Sequence, residues 1–363
     1  MMDEEDRDTP IDARSAAFPR ALVAKRILFV FCSFELGGAE RQGMHLARHL
    51  KQMGCDVRVW STLAGRGLVA DRCEAAGIPW SVNRFLWPCR KSSLVRDGWR
   101  MIWALRKEQP DVILPYTTCP NVGCGLAWHW SSAKVCIWGQ RNVSCLRGDV
   151  VERATYRRAS AVVCNAQHEV EYLQRTLGKT TSPIYVVNNG IDLAPAEKSR
   201  NAWRSEQGIC GDATVVTMLA NFRSQKDHPT LLKAWRHVLD HIRDGQAQPH
   251  LLLAGASQQT AVAVRQMVED LRLLDTVHFL GQVEDVSGLL AASDIGVLSS
   301  THEGLSNAIL EYMASGLPVV ATDLPGNREA LDEDSESQLC WVGDARRAVS
   351  SEVSIVRPVL LVC

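Results

Sequence analysis

Two glutamates eight residues apart, Glu303 and Glu311, stand in the stretch 299–331, SSTHEGLSNAILEYMASGLPVVATDLPGNREAL. The first falls in a loop between a short apolar run (295–298) and a helical pattern. The second falls about two turns further along that pattern. In an open α/β sheet, ligands bind where strand C-termini meet helix N-termini. There a helix adds a partially positive end. One carboxylate in a loop and one on a helix can hold two polyhydroxylated parts of a single ligand. The alternative is an ordinary buried helix with a solvated glutamate at each end. A second group is cationic: Asn221-Phe222-Arg223-Ser224-Gln225-Lys226-Asp227-His228-Pro229 carries Arg223 and Lys226. Arginine binds oxyanions bidentately, whereas lysine acts as a point charge. Placed at oxygens that gain charge during bond cleavage, such cations stabilise the transition state more than the ground state. Two solvated loop cations are the alternative.

The elements that must position these residues read as alternating strands and helices. Arg26-Ile27-Leu28-Phe29-Val30-Phe31 is a continuous apolar run, the signature of a buried parallel strand. A Gly37-Gly38 loop follows. Then comes a helical pattern with Met44, Leu46, Ala47 and Leu50, and a strand at 56–60. Further strands are predicted at 111–114, 134–137, 161–165 and 184–187. Asn188-Asn189-Gly190-Ile191-Asp192 is turn chemistry that closes the first domain. The pattern restarts at 214–219 and continues with a helix after Asp227, where Pro229 suits the first turn. Strands at 250–253 and 277–280, helices at 259–272 and 284–292, and the stretch 295–331 complete it. Repeating β and α elements in both halves predict two doubly wound Rossmann-like domains facing a cleft. Their expected bounds are 26–190 and 191–345. Residues 1–25 read as a disordered tail and 346–363 as an atypical tail.

Composition narrows the function classes. The chain has 363 residues, 46% hydrophobic and 22% charged, with a net charge of −1, so bulk electrostatics predict no nucleic-acid partner. The 12 cysteines are scattered without a C-x-x-C pair. They read as reduced thiols, not as a disulfide frame or a metal site. The first 25 residues lack an apolar signal-peptide core, and no run reaches the ~18 residues of a membrane span. A cytoplasmic protein is expected, at most resting on the inner membrane surface.

The 299–331 stretch resembles the E-x7-E element of glycosyltransferase family 4, and the resemblance extends over about 26–345. It implies a GT-B fold and a retaining, metal-independent hexosyltransferase. The donor would be a nucleotide sugar, UDP-linked by expectation, and the acceptor a glycan or lipid-linked sugar, as in polysaccharide biosynthesis. Glu303 would bind hydroxyls of the donor sugar and Glu311 the ribose hydroxyls. Gly304, Leu305 and Ser306 would line the donor site. Lys226 matches the family lysine, and Arg223 matches a variant spacing of the family arginine, whose usual place Asn221 holds. Both cations would stabilise the departing diphosphate. Gly37-Gly38-Ala39-Glu40-Arg41 resembles the family's first glycine loop, whose glycines face the donor diphosphate; a plain tight turn is the other reading. Gly326 holds the close-approach position of a family Gly-Gly pair, with Pro325 in place of the first glycine. Backbone near Val283 would read the base edge. No cofactor is implied beyond the donor itself. Family members continue past a G-D dipeptide, here Gly343-Asp344, with several more helices, so the ending at Cys363 reads as truncated or altered. A GT-B epimerase or phosphorylase, or a non-catalytic nucleotide-sugar-binding relic, are the rival readings.

The acceptor side is less determined. The family's H-x-H after the strand at 111–114 is replaced by Leu114-Pro115-Tyr116. Tyr116 could donate to a sugar or could simply pack. Arg141-Asn142 faces the cleft by topology. His129, His168 and His302 have no evident partners. The segment 80–107 combines five Trp or Phe residues with seven basic ones. A helix burying its Trp99–Trp103 face and solvating its arginines is the first reading. Peripheral contact with an anionic membrane is the second.

Overall fold

The computed structural model describes residues 23–63, 65–85, 94–141, 146–242, 245–331 and 339–340. Asn142, Trp87, Arg90, Lys91, Gly343-Asp344, nearly all of the 1–25 tail and the whole of 346–363 lie outside the described residues. The chain divides into two compact units. Each carries one sheet whose strand order reverses part-way.

The first unit alternates strongly: β1 (Arg26–Phe31), α1 (Gly38–Gln52), β2 (Asp56–Ser61), α2 (Leu68–Ala75), β3 (Trp80–Val82), α3 (Leu94–Glu108), β4 (Val112–Pro115), α4 (Thr118–Ala127), β5 (Val135–Gln140), α5 (Val150–Arg157), β6 (Ala161–Cys164), α6 (Gln167–Leu177) and β7 (Ile184–Val186). Most of α6, together with Arg141 and Leu146, clusters with the second unit. The sheet order is β3-β2-β1-β4-β5-β6-β7, with β1 parallel to both β2 and β4. Five of the six β1 residues are buried, as the uninterrupted apolar run requires. Helix α1 lays Gly43, Met44, Ala47 and Leu50 against that sheet, at the three-and-four spacing of one helical face.

Helix α3 departs from the first reading of its sequence. Asp97, Met101 and Leu105 face inward, while Trp99 and Trp103 are 62% and 71% exposed. The inward positions recur every four residues and form the stripe that meets α4. The tryptophans fall on the opposite side. Among the described residues, no helix is long and apolar enough to cross a membrane.

The second unit continues with α7 (Arg200–Glu206), β8 (Val215–Leu219), α8 (His228–Asp240), β9 (His250–Ala254), α9 (Ala261–Asp270), β10 (Val277–Gly281), α10 (Val286–Ala292), β11 (Ile295–Leu298), α11 (Asn307–Ala314), β12 (Val319–Thr322), α12 (Pro325–Leu331) and β13 (Leu339–Cys340). Its sheet runs β10-β9-β8-β11-β12-β13, and the paired strands are parallel. The order reverses between β8 and β11, the place where doubly wound sheets open a crevice at their carboxyl ends. The core gathers Met218, Leu232, Trp235, Leu253, Val264, Ile309 and Tyr312 from both faces and helices.

Tyr312 closes the gap at the reversal. Pairing between β8 and β11 covers only Val216 and Thr217 against Ile295 and Gly296. Beyond it, the Tyr312 hydroxyl accepts from Leu219 N at 2.7 Å and donates to Val297 O at 3.2 Å. Its ring lies where a Cβ on Gly296 would come within 2.4 Å, so Gly296 makes room for it. Tyr312→Phe keeps the ring and leaves one N–H and one C=O buried without that partner. We expect a loss of about 2 kcal/mol or more in urea unfolding; a loss below ~0.5 kcal/mol would show the hydroxyl to be dispensable.

Candidate donor-binding site

The loops after β8 and β11 meet at the sheet reversal. After β8 the chain makes a tight helical turn, Ser224–Lys226, and then enters α8 through Asp227. Asp227 takes a left-handed conformation (φ 45°, ψ 48°) and caps the helix by accepting from Thr230 N at 3.3 Å. The loop after β11 is stitched to that turn. Ser299 Oγ donates to the carbonyls of Lys226 (2.9 Å) and Asp227 (3.1 Å), and Thr301 N donates to Gln225 O at 2.8 Å. These bonds set the backbone separation of the two loops before any side chain is considered.

Across that seam Lys226 Nζ meets Glu303 Oε1 at 2.5 Å, with the side chains only 17% and 11% exposed. Ser300 Oγ donates to the same oxygen at 2.5 Å. Ser300 is itself held by Thr322 Oγ1, which donates to its carbonyl at 2.5 Å. The cation and the loop carboxylate predicted from sequence are therefore in contact. Glu311 is buried one helix away on α11, next to Tyr312. Leu305 and Ser306, at the start of α11, are buried as well. Arg223 is partly buried at the foot of the same turn, and its Nε donates to Gln258 at 2.5 Å. Asn221 has a backbone role, accepting from Ala256 N at 2.9 Å. His228 stacks on Phe222 at 4.4 Å. Burial and the neighbouring Lys226 charge pull its pKa down to about 4.

Glycines permit the closest approach in the site. A Cβ on Gly326 would lie 1.5 Å from Gly304 O, and one on Gly304 would lie 2.8 Å from Glu169 Oε1. Only glycine fits at 326 without moving the backbone of the Glu303 loop. Val283 follows Gly281 (φ 66°), and its side chain packs on the small core around Trp203, Val215 and Leu252. That leaves its backbone as the part available to a ligand.

A polar network that the sequence reading did not assemble lies behind Gly304. Asn189 Nδ2 donates to Leu305 O (3.1 Å) and Asn307 Oδ1 (2.8 Å), while its Oδ1 accepts from Arg141 at 3.1 Å. Glu329 accepts from Gln167 N at 2.8 Å and lies 3.5 Å from His168 Nδ1. His168 thus has an acidic neighbour 161 residues away in sequence. The turn signature at 188–190 was visible, but its contacts were not.

Three predicted residues sit in the first unit. Gly37 caps α1 and Gly38 begins it. Gly37 is extended (φ −111°), and a Cβ there would come 2.7 Å from Glu40 Oε2. The Tyr116 ring is 4% exposed and packs against Phe29 and Phe31 at 6.1 and 5.2 Å, the packed alternative of the sequence reading.

Comparison with known proteins fits this geometry. Residues 36–195 match the family described as Glycosyltransferase Family 4, and 213–354 match Glycosyl transferases group 1. The chain belongs to glycosyltransferase family 4. A lipopolysaccharide core biosynthesis glycosyltransferase of Rhizobium meliloti, LpsE, is 28% identical over 324 residues, covering 85% of this chain and 82% of that protein. N-acetyl-alpha-D-glucosaminyl L-malate synthase of Bacillus anthracis is 27% identical over 199 residues, 54% of this chain; the match spans about half (51%) of that relative's length. Among solved structures, Anabaena HepE in complex with UDP and glucose superposes with a TM-score of 0.74 at 22% identity, covering 88% of this chain and 87% of that one. Sucrose-phosphate synthase from Thermosynechococcus elongatus gives 0.68 at 17% identity over 89% and 87%. The family 4 chain has the GT-B fold.

Glu169 adds a pH-sensitive element to the site's support. It is fully buried, and burial pushes its carboxyl up to about 7. The Asn165 N–H and the Arg141 charge act in the opposite direction, and Glu329 reinforces the rise. With its amide nitrogen toward Glu169, the Asn165 side chain donates to the carboxylate at 2.5 Å and its oxygen accepts from Asn189 at 3.2 Å. A folded-state pKa above the unfolded value means that the native state binds more protons between the two. Stability is therefore lost as pH rises from about 4.5 to about 7. Glu169→Gln removes that slope. Its stability relative to the parent should improve by about 1–3 kcal/mol between pH 5 and pH 8 in denaturant titrations, and parallel pH profiles would contradict a raised Glu169.

Proposed function

We propose that this chain transfers a hexosyl group from a nucleotide sugar, UDP-linked, to a hydroxyl of a glycan or lipid-linked acceptor with retention of configuration. The observation that carries this reading is the Lys226–Glu303 contact at 2.5 Å at the β8/β11 reversal, with Glu311 buried on the adjoining helix. Lys226 binds the diphosphate as a compact charge, and Arg223 leaves Gln258 to reach the same oxygens. Glu303 then turns from Lys226 to the donor-sugar hydroxyls, Glu311 takes the ribose hydroxyls, and backbone of Gly304, Leu305, Ser306 and Gly326 approaches the donor.

The bond from the anomeric carbon to the diphosphate breaks, and the acceptor oxygen bonds to that carbon on the same face. The acceptor's proton passes to the departing phosphate oxygen. Negative charge grows on the diphosphate as the bond lengthens, so a fixed cation there favours the transition state. With Lys226 and Arg223 supplying this charge, the reaction needs no metal. Among the relatives, an Escherichia coli protein is named as a UDP-Gal:alpha-D-GlcNAc-diphosphoundecaprenol alpha-1,3-galactosyltransferase, 23% identical over 294 residues. Its name supports a UDP-sugar donor and a lipid-linked acceptor.

The test is turnover of a panel of nucleotide sugars, with and without chelator, followed by assignment of the product anomer. Lys226→Ala should lower kcat by about 10²–10³-fold. Glu303→Ala should abolish turnover while nucleotide binding, read by thermal shift, stays largely intact. Unchanged turnover in either variant would remove that residue from the site. Donor binding without turnover would indicate a relic, acceptor-independent isomerisation an epimerase, and dependence on free phosphate a phosphorylase.

A further inference from the structure

The solvent face of α3 serves no purpose in the donor site. Large aromatic side chains are mostly buried in soluble proteins, yet Trp99 and Trp103 are 62% and 71% exposed, and Val95 is 74% exposed. Positions 95, 99 and 103 form one stripe at four-residue spacing, opposite the buried Asp97, Met101 and Leu105. The stripe is flanked by cations. Arg96, Arg100, Arg106 and Lys107 all lie on the exposed side of the helix. The first-turn acid, Asp97, is turned inward, with Oδ1 3.2 Å from Arg96 and 3.9 Å from Arg100. At the far end, Arg106 Nε donates to Trp130 O at 2.8 Å, and Trp130 is a third half-exposed tryptophan. The Arg158 guanidinium sits 5.4 Å from the Trp130 ring. An open cavity of about 320 Å³ adjoins the helix, lined by Val82, Asn83, Arg84, Arg100 and Met101.

We infer that the α3 face of the first unit docks reversibly on an anionic lipid bilayer, with Trp99 and Trp103 in the headgroup region and the Arg84–Arg100 cavity receiving a lipid phosphate. Charge complementarity selects this occupant. A second copy of the chain would set Arg96 and Arg100 against the same arginines, whereas a membrane surface offers anions at every position. Tryptophan suits the bilayer interface because its ring is apolar and its N–H remains hydrated. Each basic residue near an anionic surface contributes about 1 kcal/mol, a roughly fivefold gain in partitioning. With no spanning helix among the described residues, such binding is peripheral.

The experiment is co-sedimentation of the full chain with phosphatidylcholine vesicles, with and without about one-third phosphatidylglycerol. Binding is expected to the anionic vesicles only and to weaken as salt is raised. Trp99→Gln/Trp103→Gln should lower the partition constant at least tenfold. Arg96→Gln/Arg100→Gln should lower it about 25-fold, on the fivefold effect of each charge. Trp99 and Trp103 are exposed, so an unchanged thermal midpoint in the tryptophan variant reports intact folding. The arginine variant takes both ion-pair partners from buried Asp97, so its folding is checked by circular dichroism at the binding temperature. Absence of binding to anionic vesicles, or binding that neither double variant weakens, overturns the inference. So does self-association that the tryptophan variant abolishes while vesicles stay unbound. The inference is independent of the transferase reading: soluble-donor turnover should persist in both double variants, and vesicle binding should persist in Lys226→Ala.

Discussion

Where two parallel strands part company, their backbone groups lose partners, and a buried unpaired group costs about as much as a lost hydrogen bond. That constraint governs the second unit. Strands β8 and β11 separate after two paired positions. The Tyr312 hydroxyl satisfies Leu219 N–H and Val297 C=O across the opening. The residue that fills the gap is also the residue after Glu311, so repairing the sheet fixes the depth and rotation of α11. From that anchor, the loop after β11 can lie only where Ser299 and Thr301 find the carbonyls of Lys226, Asp227 and Gln225. The Lys226–Glu303 contact is the outcome of this backbone arrangement.

The contact also sets an electrostatic condition. Two opposite charges held with little water leave each costly to expose alone. A ligand that brings its own anion for Lys226 and its own hydroxyls for Glu303 replaces both partners at once. A ligand lacking either half leaves one charge uncompensated. In the proposed function, the pair would thereby favour a complete diphosphate sugar over its fragments, by the same logic that lets a buried polar group reject an analogue lacking its partner.

Much of this frame was legible in the sequence. Strands β1 and β11 fall on the predicted residues, because each is a continuous apolar or β-branched run bounded by turn residues. The E-x7-E stretch and the Lys226 loop could be assigned to one strand edge because both follow strands. The three-residue β3 and two-residue β13 carry no periodicity to detect. The orientation of α3 was misjudged because hydrophobicity alone favours burying tryptophan. The buried stripe instead includes Asp97, which Arg96 and Arg100 compensate. The Asn189, Glu169 and Glu329 contacts were invisible for a different reason. Gln167 and Glu329 are 162 residues apart, and no local pattern reports a pairing between such distant positions.

Those long-range contacts explain why a loop can serve as a rigid part of the site. Loops ordinarily carry high mobility, and ordering one upon binding would subtract from affinity. Here the Glu303 loop is fixed on three sides before any ligand arrives: Ser299 and Thr301 on the Lys226 turn, Asn189 on Leu305 O, and Gly326 against Gly304 O. The last contact is steric, since no other side chain fits at 326, and sterics do not weaken with salt or pH. The polar contacts do respond, because Glu169 changes charge near neutral pH. Position is thus held by packing that is insensitive to conditions, while the stability of the support varies with pH. A site organised in this way can change its stability without moving Lys226 and Glu303.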